Sequence, residues 1–245
     1  MKNQYGLDRT IPDSVRREVR QRCGFGCVVC GGSIVDYEHV DPPFAQARRH
    51  DPAAIALLCP TCHGRVTRNF MSKSRVRAAM ANPKCKQQGF SFGEFDPAHT
   101  HPFVVFAGMT LINCAIPVQV QGIPVFQIEE PEAEGAPYRL SATFYDQRGV
   151  PSLLIRRNDW RASAAPWDVE VAGGRITIRS APGAISLRLA FAPAAGIVIE
   201  VLDMFVAGWR LVGNKDTLAI TQPGGGTGYF TNCLASNCHV GLALG

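Results

Sequence analysis

The spacing of four cysteines near one end of the chain constrains the fold more than any other feature of the sequence. Cys27 and Cys30 form one Cys-x-x-Cys pair, and Cys59 and Cys62 form a second. Two residues between thiolates let a tight turn direct both sulfurs to one ion, and two pairs complete a tetrahedral site. Because a four-sulfur shell leaves no open position for a substrate, we expect a structural zinc ion. The alternative is that the pairs are incidental buried cysteines.

Composition and charge narrow the class of protein. The chain has 245 residues, of which 46% are hydrophobic and 18% are charged, as in folded globular proteins. It lacks a secretory signal and an apolar run that could span a bilayer, so we expect a cytoplasmic protein with no membrane partner. In that compartment the nine cysteines serve as metal ligands or buried thiols. The charge is uneven: residues 1–88 contain fifteen Lys or Arg and seven Asp or Glu, whereas the remainder contains ten and thirteen.

The basic half is predicted to contain two helices with rows of cationic side chains. The pattern from Ile11 to Gly24 predicts the first helix, and the second is predicted to begin at His63. Such rows are typical either of a solvated helix face or of a surface that contacts nucleic-acid phosphates. The candidate phosphate contacts are Arg16, Arg17, Arg20, Arg65, Arg68 and Lys73.

The segment between the cysteine pairs predicts two strands that precede the second helix. Residues 33–40 alternate as a strand does and end on Glu38-His39. A loop rich in Pro, Ala and Arg follows, and then a short apolar run, Ile55 to Leu58, leads into the second cysteine pair. The predicted order around the site is therefore strand, loop, strand and helix.

These residues resemble an HNH endonuclease of the ββα-metal class, in the subtype stapled by a four-cysteine zinc site. The match consists of Glu38-His39 at a strand end, Pro42 shortly afterwards, and the segment from Leu58 to His63. It covers roughly residues 12–80. The resemblance does not extend to the rest of the chain.

The resemblance implies a division of labour among three residues. His39 would be the general base that activates water for attack on a phosphodiester bond of DNA. Glu38 and His63 would bind a second, catalytic divalent ion, magnesium or manganese. Elementary chemistry agrees, because an imidazole accepts a proton near neutral pH. Charge that develops on the phosphate needs a cation bound by few protein groups.

One position departs from the family pattern. The family's Asn, which orients the loop that bears the base, would lie nine residues before His63, where this chain has Ala54. His50, Asp51 or Gln46 of the same loop are candidates to replace the missing amide.

Two alternatives stay open for the histidines. His63 can be a polar neighbour of the zinc site or replace one of its cysteines, and His39 can simply hydrogen-bond to backbone. If both alternatives hold, the module binds nucleic acid without cutting it.

After Asn82 the helix signals give way to short runs rich in Val, Ile, Phe and Thr. We predict an α+β protein: a zinc-stapled ββα-metal (HNH) domain over residues 1–82, a linker over 83–100, and an all-β sandwich- or barrel-like domain over 101–245.

The predicted function is hydrolysis of DNA phosphodiester bonds by a metal-dependent endonuclease. The β domain would control specificity, activation or oligomerisation, by analogy with phage defence or restriction. Its partner would be an unidentified activating ligand or protein. A homo-oligomer is expected, since one site cuts one strand. The alternative is a catalytically inactive zinc-ribbon protein that binds DNA or serves in assembly.

Overall fold

The computed structural model describes residues 2–96, 99–192 and 195–245, which divide into two units. The first unit comprises Met1–Gly93 together with Ser163–Glu170, and the second comprises Glu94–Ala162 with Val171–Gly245. The fold is mixed and mostly β, which agrees with the coarse class predicted from the sequence.

The described residues of the first unit contain four α-helices: α1 (Asp13–Cys23), α2 (Pro60–Thr67), α3 (Lys73–Ala81) and α4 (Lys84–Gln88). Helix α1 ends at Gly24, whose φ of 73° is easily reached only without a side chain. The predicted helix that begins at His63 is two helices, α2 and α3. Their connection contains Asn69 with a φ of 63°, which a continuous helix excludes.

Strands β1 (Asp36–His39) and β2 (Ile55–Leu58) form an antiparallel pair, in which Glu38 lies opposite Ala56 and His39 opposite Ile55. All four side chains of β2 are buried, because α1 and the cysteine turns cover this short strand. The pair therefore presents the end of β1, with Glu38 and His39, beside the start of α2.

The segment predicted as a linker contains α4 and strand β3 (Phe90–Glu94). Cys85 of α4 is fully buried, and the Lys84 N–H donates to the carbonyl of Val28 at 2.9 Å. These contacts attach α4 to the turn between the first two cysteines. The first unit therefore extends beyond residue 82.

The remaining strands are β4 (Phe103–Phe106), β5 (Met109–Val120), β6 (Ile123–Glu129), β7 (Arg139–Tyr145), β8 (Pro151–Arg156), β9 (Asp159–Ser163), β10 (Asp168–Ala172), β11 (Arg175–Ala181), β12 (Ala184–Ala192), β13 (Gly196–Val206), β14 (Trp209–Asn214), β15 (Thr217–Thr221), β16 (Thr227–Thr231) and β17 (Cys233–Leu244). Within the second unit the strand order is β11-β12-β13-β4-β5-β6-β7-β8-β9, with β14, β15 and β16 branching from β13.

Two pairings of this sheet are parallel and join distant parts of the chain. Strand β4 pairs with β13, and β17 pairs with β5 along its whole length. The core between the strands is apolar, and Phe106, Phe126 and Phe144 are all fully buried. In the part of the chain that the structure describes, no helix has the length and apolar character that crossing a membrane requires.

Candidate functional site

Cys27, Cys30, Cys59 and Cys62 converge on one point of the first unit. Their four Sγ atoms all lie within 4.8 Å of one another, and the Cys30 and Cys59 sulfurs are 3.5 Å apart. Zinc–sulfur bonds of about 2.3 Å in a tetrahedron place sulfurs about 3.8 Å apart. The cluster can therefore hold a zinc ion with little rearrangement.

Backbone hydrogen bonds form the first cysteine turn. The Cys27 N–H donates to the carbonyl of Gly32 at 2.8 Å, and the Gly31 N–H returns to the carbonyl of Cys27 at 2.9 Å. Gly31 has a φ of 92°, so a side chain at this position would be strained. In the second turn the Cys62 N–H donates to Cys59 Sγ at 3.4 Å. This contact orients a sulfur at the N-terminal end of α2.

Three thiols of the cluster, Cys27, Cys30 and Cys62, differ in how easily they lose a proton. A hydrogen bond from Cys30 lowers the pKa of Cys27 to about 5, and the same contact raises the pKa of Cys30. Burial raises the pKa of Cys62 to about 12. Cys27 is therefore the most acidic of these three thiols, and a cation at the centre of the cluster would favour thiolates at the other sulfurs.

Glu38 and His63 meet beside this cluster, as the sequence predicts. Glu38 Oε2 lies 3.0 Å from His63 Nε2, and both side chains are partly exposed. Two neighbouring ligands of an octahedral magnesium ion, each about 2.1 Å from the metal, are about 3.0 Å apart. The pair can therefore contribute two ligand atoms to a divalent ion and leave its other positions open.

His39 lies next to Glu38 on β1, but its surroundings differ. The residue is only 7% exposed, and its Nε2 lies 3.1 Å from His50 Nδ1. Phe44 packs against its ring, with the two ring centroids 5.4 Å apart. Burial lowers the pKa of His39 below its usual value, and the neighbouring His50 lowers it further. A neutral imidazole at neutral pH is the form that can accept a proton.

The loop after His39 is held by a residue that sequence reasoning missed. Asn3 Nδ2 donates to the carbonyls of Phe44 and Ala47, at 2.7 and 2.6 Å. Ala54, where the resemblance to HNH endonucleases predicts an Asn, contributes only its backbone, whose carbonyl accepts from the Val40 N–H at 2.9 Å. No local pattern identifies Asn3, because both acceptors lie more than 40 residues away.

The predicted phosphate contacts have different environments. Arg65 and Arg68 are exposed on and directly after α2. The guanidinium groups of Arg16 and Arg17 lie over the rings of Tyr37 and Trp167, at 5.2 and 4.9 Å. Lys73 Nζ is 3.7 Å from Glu38 Oε1 and 3.4 Å from the carbonyl of His39, so this lysine borders the candidate site itself.

Arg20 does not belong to an exposed basic surface, and this prediction is wrong. Its side chain is buried, and its Nη2 donates to Asp168 Oδ2 at 2.7 Å while Nε donates to Oδ1 at 2.9 Å. Nη1 also lies 3.1 Å from the Tyr37 hydroxyl. The carboxylate of Asp168 is fully buried, so Arg20 neutralises a charge inside the first unit and cannot contact phosphate.

An open cleft of about 420 Å³ adjoins Glu38 and His63. It is lined by Arg9, Thr10, Ile11, Arg16, Asp36, Tyr37, Glu38 and His63. Two arginines and a carboxylate–imidazole pair in the lining of one cleft are chemically suited to an anionic substrate that is positioned against a cation. Arg9, which the sequence did not single out, belongs to this cleft.

Comparison of the chain with protein-family models, with curated proteins and with solved structures gives no match. The functional argument therefore depends on the residues and their geometry.

Proposed function

We propose that this protein is a metal-dependent endonuclease that hydrolyses phosphodiester bonds of DNA at the HNH-type site of its first unit. The observation that supports this most directly is the contact between Glu38 and His63, 3.0 Å apart, with the buried imidazole of His39 next in the chain. A carboxylate and an imidazole can bind a divalent ion, and a separate neutral imidazole can accept a proton, so together they can support metal-assisted hydrolysis.

In this proposal each residue has one task. His39 accepts the proton of the attacking water, and Glu38 with His63 binds magnesium or manganese. The bound ion would neutralise charge on the phosphate and on the leaving oxygen. Arg9 and Arg16, which also line the cleft, would hold the phosphate backbone, and Arg65 and Arg68 would add further contacts. Cys27, Cys30, Cys59 and Cys62 bind a structural zinc ion that fixes β1 relative to α2.

Supercoiled plasmid provides the direct test. Wild-type protein, His39→Ala and the exposed control His239→Ala are incubated with plasmid and either magnesium or manganese. We expect nicking by the wild type and the control, and a rate about 10² to 10⁴ times lower for His39→Ala, because a general base is lost. Equal nicking by wild type and His39→Ala would refute the assigned role of His39. Absence of nicking with both ions would refute the nuclease.

A second candidate function is favoured by one contact. Lys73 Nζ, 3.7 Å from Glu38 Oε1, already provides a positive charge to the carboxylate that would bind the metal. Combined with Ala54, this contact favours a zinc-ribbon protein that binds DNA, or serves in assembly, without cutting it. Gel-shift measurements distinguish the two functions: salt-sensitive DNA binding without nicking supports the second candidate, and nicking supports the first.

The role of the second unit follows from the same proposal. An unregulated nuclease would cut the DNA of its own cell. The β unit would therefore control specificity, activation or oligomerisation, with a ligand or protein as its partner. A homo-oligomer would bring two sites to two strands. Phage defence or restriction is the setting suggested by analogy. A molar mass measured by light scattering, with and without DNA, tests the oligomer.

A further inference from the structure

The imidazole of His50 connects His39 to the first residues of the chain. His50 Nδ1 lies 3.1 Å from His39 Nε2, and His50 Nε2 lies 2.9 Å from the backbone carbonyl of Asp8. The ring of His50 also stacks on Phe44, with an interplanar angle of 13°. The Asp8 carbonyl and the Phe44 ring therefore fix the orientation of the His50 ring independently of its contact with His39.

The segment that contains Asp8 is itself fixed to the loop. Asn3 Oδ1 accepts from the Leu7 N–H at 3.0 Å, and Lys2 pairs with Asp8 in an antiparallel bridge. The amide nitrogen of Asn3 donates to the carbonyls of Phe44 and Ala47 on the same loop. This folded segment, residues 2–8, brings the Asp8 carbonyl to His50.

The two contacts determine which nitrogen of each ring carries hydrogen. A carbonyl oxygen can only accept, so the hydrogen of a neutral His50 lies on Nε2. Its Nδ1 then has a lone pair that faces His39 Nε2. Two facing lone pairs would repel, so His39 Nε2 carries the hydrogen and donates it. His39 Nδ1 is left with its lone pair.

We propose that His50 is a positioning residue for His39, and that His39 Nδ1 is the atom that accepts the proton. The proposal rests on the proposed function for its catalytic consequence. Outer partners of a histidine commonly fix its tautomer and ring orientation in this way. The missing amide at Ala54 is thus replaced by two groups: His50, which binds the base, and Asn3, which binds the loop.

Two substitutions separate the hydrogen bond from the packing. His50→Phe keeps a ring beside Phe44 but removes the acceptor, whereas His50→Asn places an amide oxygen near the position of Nδ1. We expect His50→Phe to lower the kcat of plasmid nicking about 10- to 100-fold with KM for DNA unchanged. We expect His50→Asn to retain most of the wild-type kcat. Melting temperature and zinc content check folding, and His50→Ala replaces His50→Phe if that variant does not fold.

A spectroscopic measurement on zinc-loaded protein tests the contact without any cleavage. In protein labelled with ¹⁵N-histidine, the His39 Nε2–H signal, assigned with His39→Gln, should exchange slowly with water in wild type and His50→Asn. It should exchange rapidly in His50→Phe, because the acceptor is gone.

The outcomes separate the two proposals. A slowly exchanging His39 Nε2–H in His50→Phe, or an equal loss of kcat in His50→Phe and His50→Asn, would overturn the role of His50. If wild-type protein nicks no DNA, the proposed function fails, and the exchange measurement still decides whether His50 holds His39.

Discussion

The two units of the chain are stabilised by different means. In the first unit the apolar core surrounds the four residues of β2, and four sulfurs and a buried Arg20–Asp168 pair lie close to it. In the second unit the core consists of side chains from many strands, with Phe106, Phe126 and Phe144 fully buried. Small units that bury little apolar surface commonly need a metal to fold, whereas larger sheets do not. The difference predicts which perturbation affects which unit.

The largest effect is expected from removal of the zinc ion proposed for the cysteine cluster. Cys59→Ser, or a strong chelator, should unfold the first unit, because a structural zinc ion contributes about 10–16 kcal/mol to folding. The second unit should keep its structure. The indole N–H signals of Trp167 in the first unit and Trp160 in the second report the two outcomes separately. Cys233→Ser, outside the cluster, is the control; unchanged Trp167 signals in Cys59→Ser would contradict the comparison.

Truncation of a buried ring should affect the second unit alone. Phe144 of β7 is fully buried, so Phe144→Ala should lower the free energy of unfolding of that unit by about 3–5 kcal/mol. Denaturant titrations followed through Trp160 measure this change, and zinc content should stay at the wild-type value. The control is Val212→Ala on β14, where the side chain is already 38% exposed. If Phe144→Ala and Val212→Ala lower the free energy of unfolding equally, packing of the buried ring does not stabilise the second unit.

The buried ion pair provides the matching test for the first unit. Asp168→Asn leaves the buried Arg20 with only the partly exposed Glu170, whose Oε1 lies 3.4 Å from Nη1, as a charge partner, which should lower the free energy of unfolding of the first unit by about 3 kcal/mol. Asp13→Asn removes a carboxylate from the exposed Arg16–Asp13 pair and should cost less than about 1 kcal/mol. Both are measured through Trp167. If the two variants are equally stable, the pair does not hold the unit together.

The smallest effect concerns the reactivity of thiols towards alkylation. We expect burial to lower it in the second unit and the proposed metal to lower it in the first. Burial raises the pKa of Cys114 to about 11, and the contact of its sulfur with Cys238 Sγ at 2.9 Å contributes. At pH 8 only about one Cys114 in a thousand is then a thiolate. Alkylation of Cys114 by iodoacetamide should therefore be slow at pH 8 and speed up towards pH 11.

A chelator should make the clustered cysteines of the first unit more reactive than Cys114 of the second unit. After metal removal the four clustered cysteines should become alkylated at pH 8, while Cys114 stays unmodified. Peptide mass spectrometry locates the labels, with Cys114→Ser as the control for assignment. Alkylation of Cys114 together with the cluster would mean that the second unit opens as well.

Local patterns predict much of the candidate site. Spacing alone gives the cysteine cluster, because a turn of two residues can be identified within the sequence. Glu38 and His63 are implied by the resemblance to HNH endonucleases, which depends on residues at set spacing in the sequence. The bounds of β2 match the short apolar run from Ile55 to Leu58 that the sequence predicts as a strand. These features depend on neighbours in the chain.

The features that sequence reasoning misses depend on distant partners. Arg20 has the spacing of a surface residue on an amphipathic helix, and only Asp168, 148 residues away, makes it a buried charge. Asn3 acts through two backbone carbonyls, which every residue possesses, so no side-chain pattern indicates the contact. The parallel pairing of β17 with β5 joins two ends of the β unit and likewise has no local signal.

The first unit is made of two separate segments of the chain, which limits how it can be inherited by recombination. Ser163–Glu170 belongs to the first unit although it lies between two long segments of the second. A recombination event that replaced everything after residue 93 with an unrelated partner would transmit all four cysteines and both site histidines. It would nevertheless remove the carboxylate that neutralises Arg20. Inheritance of this module as a contiguous piece would therefore require a compensating change on α1, and a homologue with a different C-terminal half should lack Arg at that position.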